Sequence, residues 1–529
     1  MKDTLIKIEE LLLFAKQHKM IEPDDIEWTR NSIYSYLRIP AEHIDELVFF
    51  ESSAFKNAKN YEYDVNTFAT ATAVLSVLID DFSKRGNALG WLDAGLTSDM
   101  IDRIEAGIMN LLMPRPSEVS RKFYELYEKN KEHATNYFYN LSRASNYIQV
   151  DRVNKNVKWI TPTMFGDLQI TINVSKPEKD PRDIAASRNK PQAGYPKCLL
   201  CAENIGFEGT HSHPARQNLR TLPIMINGED WLMQYSPYVY YNEHSIIFNA
   251  KHVPMRITKA TFKKLLSYVQ IFPHYFVGSN ADLPIVGGSI LSHDHFQGGN
   301  HTFPIQNAKT IAMYECENNP DVKISRVMWP LSVVRIASKN VDALIKFASH
   351  VLDVWSTYTD KDANIISHTE DTPHNTITPI ARKNDRNEFE LDLVLRNNRT
   401  SDEFPMGIFH AHEKWHHIKK ENIGLIEVMG LAVLPARLAE SSKEIIKILS
   451  GSEYVIGPDS SLSLHKEWID ELVMQYGNAN DPVQAEKIVQ KEIGNVFLHV
   501  LEDCGVFKNT DNGHLYFEKF MSCLTQGDK

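Results

Sequence analysis

The sequence predicts an α+β fold: a helical N-terminal region, then two tandem copies of one α+β unit, then a helical tail. Three observations predict it. Apolar residues recur at three- and four-residue spacing through residues 1 to about 165, the signature of amphipathic helices. From Cys198 onward, short runs rich in β-branched and aromatic residues are set between turn residues. The order strand, helix, strands and a His-x-His tripeptide then occurs twice, ending at His293-Asp294-His295 and at His410-Ala411-His412.

Taken in order, LIKIEELLLFAKQ, DVNTFATATAVLSVLIDDF and SDMIDRIEAGIMNLLM read as helices. Pro114 and Pro116 end the third pattern, and Ser117 is placed to cap the next helix, EVSRKFYELYEKN. No polar cluster of catalytic spacing stands out here, which points to a scaffold or lid. GDLQITINVSK reads as a strand, and EKDPRDIAASRNKPQAGYP as a linker or long surface loop. WLMQYSPYVYY and HSIIFNA read as strands about a turn at Asn242–Glu243. ITKATFKKLLSYVQIFPHYF reads as a helix, and LPIVGGSILSHDHFQGG as a strand bounded by glycine pairs. In the second unit PLSVVRIAS is strand-like, NVDALIKFASHVLDVWSTY helix-like, and HNTITPIARK and FELDLVLR strand-like. The tail from IGLIEVMGLAVLPARL onward reads as mostly helical. The expected divisions are residues 1–165, 166–325 and 326–529.

Composition narrows the function classes. The 529 residues carry 57 Lys+Arg against 68 Asp+Glu, a formal charge of −11, which argues against a nucleic-acid binder held by phosphate contacts. With 43% hydrophobic and 24% charged residues, the chain has ample material for a packed core. Five cysteines are too few for a disulfide framework and fit a reducing compartment. MKDTLIKIEELLLFAKQHK carries charges too closely spaced for a signal peptide. LIEVMGLAVLPARLA, the most apolar late stretch, is broken by Glu427 and Pro435 and is too short to span a bilayer. The expected protein is cytoplasmic, with neither nucleic acid nor membrane as partner.

The segment Gly287–Gly299, GGSILSHDHFQGG, carries the most chemistry. On a strand, alternate side chains share a face, so His293, His295 and Gln297 point one way and Asp294 and Phe296 the other. A neutral imidazole is a good nucleophile near pH 7. Phosphoryl transfer needs donors aimed at the oxygens where charge develops, and the Gln297 amide offers an uncharged one. The flanking glycines leave room for phosphates to approach the backbone. A bare His-x-His on a half-buried strand is common without function. The second copy, His410-Ala411-His412, is followed by Glu413-Lys414, which puts a lysine where the amide belongs; the first copy is therefore the catalytic candidate.

Cys198-Leu199-Leu200-Cys201 is a metal half-site, a pair of buried free thiols, or a redox pair. Histidines able to complete a tetrahedral set include His211, His213, His244, His252 and His293, and spacing alone does not choose among them. Arg216 and Arg220, four apart, are placed to share a helix face and hold a phosphate, or to form a surface salt bridge. His416-His417, beside Lys419-Lys420, reads as a solvated face.

The blocks C-L-L-C-A-E-N, H-P-A-R-Q-N-L-R, Y-S-P-Y-V-Y-Y-N-E-H, S-H-D-H-F-Q-G-G and F-H-A-H resemble the galactose-1-phosphate uridylyltransferases, a family of the histidine-triad superfamily. The likeness is greater to the second bacterial branch, the UDP-glucose–hexose-1-phosphate uridylyltransferases, which also carry a helical N-terminal region. The resemblance implies two histidine-triad-like halves with antiparallel sheet. It implies a ping-pong exchange in Leloir galactose metabolism, with His295 carrying UMP between UDP-glucose and galactose 1-phosphate and Gln297 hydrogen-bonding a phosphoryl oxygen. It places a zinc ion on Cys198, Cys201, His252 and His293, and matches Asn280 and Ser289 to phosphate contacts. It points to a second metal near His410 and His412, to sugar contacts near Lys420–Glu427, and to a homodimer. One departure stands out: the better-known branch reads His-Pro-His, where this chain has Asp294 between the histidines. Two rival readings use the same residues. One is a nucleoside-diphosphate-sugar or dinucleoside-polyphosphate phosphorylase, with inorganic phosphate as acceptor. The other is a non-enzymatic, zinc-stabilised nucleotide-binding protein.

Overall fold

The structure, a computed structural model, describes residues 2–44, 69–92, 95–175, 194–458, 460–477, 479 and 481–525. Most of the linker read at 178–196 lies outside the described residues, as does the start of the second N-terminal helical pattern.

The N-terminal periodicity does form helices, including Lys2–Gln17, Ala69–Ala88, Ser98–Leu111, Pro116–Tyr127 and Lys131–Ala144. Leu5, Ile8, Leu12 and Ala15, spaced by three and four, bury one stripe of the first helix in a cluster with Val74, Leu75 and Leu78 of Ala69–Ala88. Ser117 is not the cap of its helix. Arg115 takes that place, Pro116 fills the first helical turn, and the Glu118 carboxylate accepts the Arg115 N–H at 2.8 Å.

The helices stop short of residue 165. β1 (Val157–Thr163) pairs with β2 (Gly166–Asn173), and β15 (Leu431–Pro435) adds to β2 in parallel. Two expectations are corrected here: residues 157–163 are strand, and the tail is interrupted by a strand before its helices resume. β1 is an edge strand, which is why it tolerates Pro162. Pairing of residues 166–173 with 431–435 was not visible in either segment alone.

The main sheet has ten strands: β3 (Leu222–Ile226), β4 (Glu229–Tyr235), β5 (Ser245–Asn249), β6 (Phe276–Gly278), β7 (His295–Gly299), β8 (Thr310–Tyr314), β9 (Lys323–Val327), β10 (Val333–Ser338), β13 (Asn375–Lys383) and β14 (Phe389–Asn397). A small ladder, β11 (His368–Thr369) with β12 (Thr372–Pro373), lies apart. The order is β3-β4-β5-β7-β6-β13-β14-β10-β9-β8, antiparallel throughout. Read outward from the central β6–β13 pair, the halves match: β6-β7-β5-β4-β3 on one side, β13-β14-β10-β9-β8 on the other. Each half runs three strands, one helix (Lys259–Ile271 or Val341–Thr357), then its two central strands. The tandem repeat is real at the level of strand order.

The His-x-His recurrence is not part of it. His293 and His295 stand at the start of β7, whereas His410 and His412 lie in a loop well past the end of β14. The matching row settles the counterpart. Gly278, Gln297 and Ile246 stand opposite one another in the first half; Ile380, Asp392 and Arg335 do so in the second. Gln297 and His295 are thus replaced by Asp392 and Glu390. Arg335 makes a two-pronged ion pair with the fully buried Asp392 at 2.6 and 3.0 Å, and Arg382 pairs with both Asp392 and Glu390. Where one half offers an imidazole and an amide, the other is closed by charges that neutralise each other.

The two long helices cover one face of this sheet, packing Leu265, Tyr268, Phe347 and Trp355 on Ile247, Phe296, Val277 and Leu393. The other face carries Phe276, Ile380 and Val394 and meets the β1–β2–β15 layer and helix Pro482–Cys504. Side-chain alternation puts His295 and Gln297 on this second face. Among the described residues, no helix is long and apolar enough to cross a membrane.

Candidate metal centre and histidine strand

Four donors from three segments meet beside the start of β7. Cys198 Sγ lies 3.5 Å from Cys201 Sγ and 3.2 Å from His293 Nδ1. Cys201 Sγ lies 3.1 Å from His252 Nδ1 and 3.8 Å from His293 Nδ1. A tetrahedral ion with metal–sulfur bonds of about 2.3 Å and metal–nitrogen bonds of about 2.0 Å has ligand–ligand edges of about 3.4–3.8 Å, so the set fits such an ion after small adjustments. His293 Nε2 donates to the Asn249 carbonyl at 2.8 Å, which leaves Nδ1 unprotonated toward the thiols. The turn carrying the cysteines is held by Asn204, whose amide donates to the Cys198 and Cys201 carbonyls at 2.8 Å each. Burial raises Cys198, but hydrogen bonds with His293, the Leu200 N–H and Cys201 outweigh it and hold that thiol below its usual range. Burial and then Cys198 push Cys201 up to about 11.

Of the five candidate histidines, the fold selects His252 and His293. His213 instead bonds Asn204 Oδ1 at 2.6 Å, one step behind the cysteines. His211 pairs with Asp99 at 3.1 Å, and His244 bonds Gln297. Among the described residues this is the one group of three or more convergent donors. His410 and His412 do not converge with further ligands. His410 is buried with its Nδ1 3.3 Å from the Ala411 carbonyl, and His412 sits between Asp503 at 3.3 Å and the Ile408 carbonyl at 3.2 Å.

His295 is buried and its Nδ1–H donates to the His293 carbonyl at 2.8 Å. That bond fixes the tautomer and leaves the lone pair on Nε2. Burial keeps the ring below the ordinary histidine range, so it is neutral at pH 7. The strand itself begins only at His295. His293 and Asp294 precede it but continue its ladder: the Asn249 N–H donates to the Asp294 carbonyl at 2.9 Å, and the Asp294 N–H to the Val253 carbonyl at 2.7 Å. A proline could not make the second bond. The Asp294 carboxylate turns away toward Lys264 at 3.4 Å.

His244, read from sequence only as a candidate metal ligand, belongs to Gln297 instead. Its Nε2–H donates to Gln297 Oε1 at 3.0 Å, which turns the Gln297 NH2 outward as the available donor. Its place directly before strand β5, two strands of sequence away from Gln297, gives no local signal. Asn280 is buried, with Oδ1 accepting the Leu425 N–H at 2.9 Å, so the segment Lys420–Glu427 packs against Asn280. Ser289 is exposed on the loop before His293.

The glycine pairs do not open the backbone to a ligand, as the sequence suggested. A Cβ on Gly287 would lie 2.6 Å from the Ala281 and Leu283 carbonyls, one on Gly298 2.8 Å from the Phe276 carbonyl, and one on Gly299 2.6 Å from the Glu243 carbonyl. Protein backbone fills those spaces. Arg216 and Arg220 share no helix face either; both lie in a loop. Arg220 is spent on the Pro114, Gln217 and Leu219 carbonyls and on Asn110, at 2.8–3.1 Å, and clamps the helical region to the sheet.

Buried and half-buried neutral histidines make the fold acid-sensitive. Burial pushes His244, His301, His410, His417 and His465 down to about 4. His417 is half-buried rather than on a fully solvated face: its Nδ1 lies 3.1 Å from His465 Nδ1. The unfolded chain takes up these protons near pH 6.5, the folded chain only near 4. Their stabilisation is therefore complete above pH 6.5 and lost as pH falls from 6.5 to 4, by at most about 1.4 kcal/mol per pH unit for each ring. The thermal midpoint should be flat from pH 7 to 8 and fall steeply below 6; a midpoint unchanged at pH 5 would refute this.

Comparison with known proteins agrees with the geometry. Residues 93–254 match the family model of the galactose-1-phosphate uridyl transferase N-terminal domain, and residues 268–468 that of its C-terminal domain. The chain is 49% identical over 531 residues to the galactose-1-phosphate uridylyltransferase of Caldanaerobacter subterraneus subsp. tengcongensis, covering 98% of both chains. It is 48% identical over 518 residues to that of Clostridium acetobutylicum, covering 98% of this chain and 99% of that one. The Bacillus subtilis protein of the same name is 44% identical over 522 residues, with 98% and 97% covered.

Proposed function

The chain belongs to the galactose-1-phosphate uridylyltransferase family and is a uridylyl-transferring enzyme of galactose metabolism; on that premise we propose that His295 carries the uridylyl group between UDP-glucose and galactose 1-phosphate. The observation that supports this most is the Nδ1–H bond of His295 to the His293 carbonyl, which presents a neutral imidazole with its Nε2 lone pair free to attack. Nε2 attacks the α-phosphorus, forming a nitrogen–phosphorus bond as the bond to the bridging oxygen breaks. Glucose 1-phosphate leaves as the anion; a phosphate group of second pKa about 6 needs no proton to depart at pH 7. An oxygen of galactose 1-phosphate then attacks the same phosphorus, releasing UDP-galactose and the free imidazole.

Gln297, turned by His244, donates to a non-bridging oxygen in both steps. An amide neither protonates a leaving group nor activates water, which suits an intermediate passed to a sugar phosphate. Gln297→Met should lower kcat by about 10²–10³-fold, as for the loss of one donor to a developing oxyanion, with little change in KM. A variant within threefold of the wild type would remove Gln297 from the mechanism.

Cys198, Cys201, His252 and His293 would hold a zinc ion. Its donor set of two sulfurs and two nitrogens is that of closed, structural zinc sites, so the ion's contribution is to fix the His293 segment. Asn280, Ser289 and Arg216 remain the proposed contacts to the donor.

Incubation with UDP-glucose, followed by peptide mass spectrometry, tests the covalent step. The expected result is one uridylyl group on the peptide containing His295, discharged by galactose 1-phosphate as UDP-galactose. Discharge by inorganic phosphate instead would identify a phosphorylase. Nucleotide binding with no adduct and no exchange of label between UDP-glucose and glucose 1-phosphate would leave only a binding protein.

A further inference from the structure

The histidine strand has a second face that the transfer chemistry does not use. His295 and Gln297 point to one side of β7; Asp294 and Phe296 point to the other, under the helix Lys259–Ile271. One lysine of that helix holds both. Lys264 Nζ lies 3.4 Å from the Asp294 carboxylate and 3.0 Å from that of Glu229 at the start of β4. The same ammonium lies 5.0 Å from the centre of the Trp231 ring, and Trp231 stacks on Phe296 with ring centres 4.9 Å and planes 10° apart. The Lys264 and Asp294 side chains are 12% and 14% exposed, so water and salt screen this pair far less than a surface one.

The backbone carries this anchoring to the other face. The peptide joining His293 to Asp294 has two ends. Its carbonyl accepts the His295 Nδ1–H at 2.8 Å, and its N–H donates to the Val253 carbonyl at 2.7 Å. The Asp294 carbonyl accepts the Asn249 N–H at 2.9 Å, and Asn249 stands opposite Trp231. Asp294 is therefore held at its N–H, its carbonyl and its carboxylate. Because a peptide unit is planar, a turn at Asp294 that broke the Val253 bond would swing the His293 carbonyl away from His295. A proline between the histidines would set φ by its ring; aspartate leaves φ open, and these three contacts set it instead.

We propose that Lys264 and Asp294 are a positioning pair for His295: their ion pair locks the peptide whose carbonyl fixes the His295 tautomer and the aim of Nε2. The inference rests on the reading of His295 as uridylyl carrier. Both residues lie on the face of β7 away from the His295 ring, so neither is a catalytic residue; they act through the backbone. The pair is mutually required, because either charge left alone under the helix lacks the partner that offsets its lost hydration. Glu229 is 45% exposed and holds Lys264 from the solvent side.

Kinetics and histidine-selective 15N magnetic resonance on the full chain test the proposal. Asp294→Asn and Lys264→Met should each lower kcat by about tenfold with KM changed less than about twofold, the mark of a misaimed nucleophile rather than of weaker binding. Lys264→Arg, which keeps the charge, should stay within about threefold of the wild type, and the double variant should be no slower than the slower single, since one interaction is lost in each case. Metal content should match that of the wild type throughout. The His295 ring should show the Nδ1–H tautomer alone in the wild type and a mixture of tautomers in Asp294→Asn and Lys264→Met, which a merely structural role would not produce. Lys264→Met leaves both backbone bonds of Asp294 in place and carries the test if Asp294→Asn does not fold. Single variants with wild-type kcat, losses that multiply to about a hundredfold in the double variant, a loss that tracks departing metal, or an unchanged tautomer each overturn the pair. Tautomers that respond as expected in a chain whose wild type forms no adduct with UDP-glucose would overturn the carrier role and leave the positioning pair standing.

Discussion

Replacing His295 with alanine is expected to lower uridylyl exchange by about 10⁴-fold or more, the size of effect seen when a covalent nucleophile is removed. The reason is local. Among the described residues, Nε2 of this ring is the one imidazole nitrogen of β7 left free, and no neighbouring imidazole stands ready to take its place: His293 has both nitrogens engaged, Nε2 by the Asn249 carbonyl and Nδ1 by the thiols. His244 has its Nε2 on Gln297. The substitution removes a side chain whose ring makes one hydrogen bond, to the His293 carbonyl, so the thermal midpoint should move by only a few degrees. Steady-state exchange and a thermal melt on the same preparation check both halves. A variant retaining more than about a hundredth of wild-type activity would end the case for His295 as uridylyl carrier.

The second large effect is expected from the four-ligand cluster. Cys201→Ser, or a chelator acting on the wild type, should lower stability by about 3–4 kcal/mol, the linkage value for a ligand at 100–1,000 times its dissociation constant. Activity should fall with it, because the His293 carbonyl that fixes His295 belongs to a cluster residue. Elemental analysis should find about one zinc per chain in the wild type and none in the variant. Lower pH should weaken retention, since the thiols must lose their protons to bind. A wild-type protein that carries no metal yet melts and turns over as before would show the cysteines to be buried thiols only.

Which parts of this were legible in the chain depends on how far apart the responsible atoms lie. Helix periodicity and the strand content of β10, β13 and β14 follow from neighbours a few residues away, and they stood in the sequence. So did the two imidazoles and the amide of His293, His295 and Gln297. β1 and β15 did not. Each is short, and each becomes a strand by pairing with β2, one of them from the far end of the chain. Ser117 had the right chemistry for a cap but stood two residues too late.

The sequence by itself determined the imidazole proposed as reacting group, the cysteine pair, the repeated order of strands and helix, and, through resemblance, the family. Tertiary structure alone decided which two of five histidines join the cysteines, 51 and 95 residues away. It also decided that His244 aims Gln297, that Arg220 is consumed by carbonyls, and that Asp392 and its arginines close the second half of the sheet. The physical reason is that a side chain's identity states what it can donate or accept, whereas its partner is set by strand register and packing. Those are properties of the folded chain, in which residues distant in sequence compete for the same lone pairs and protons.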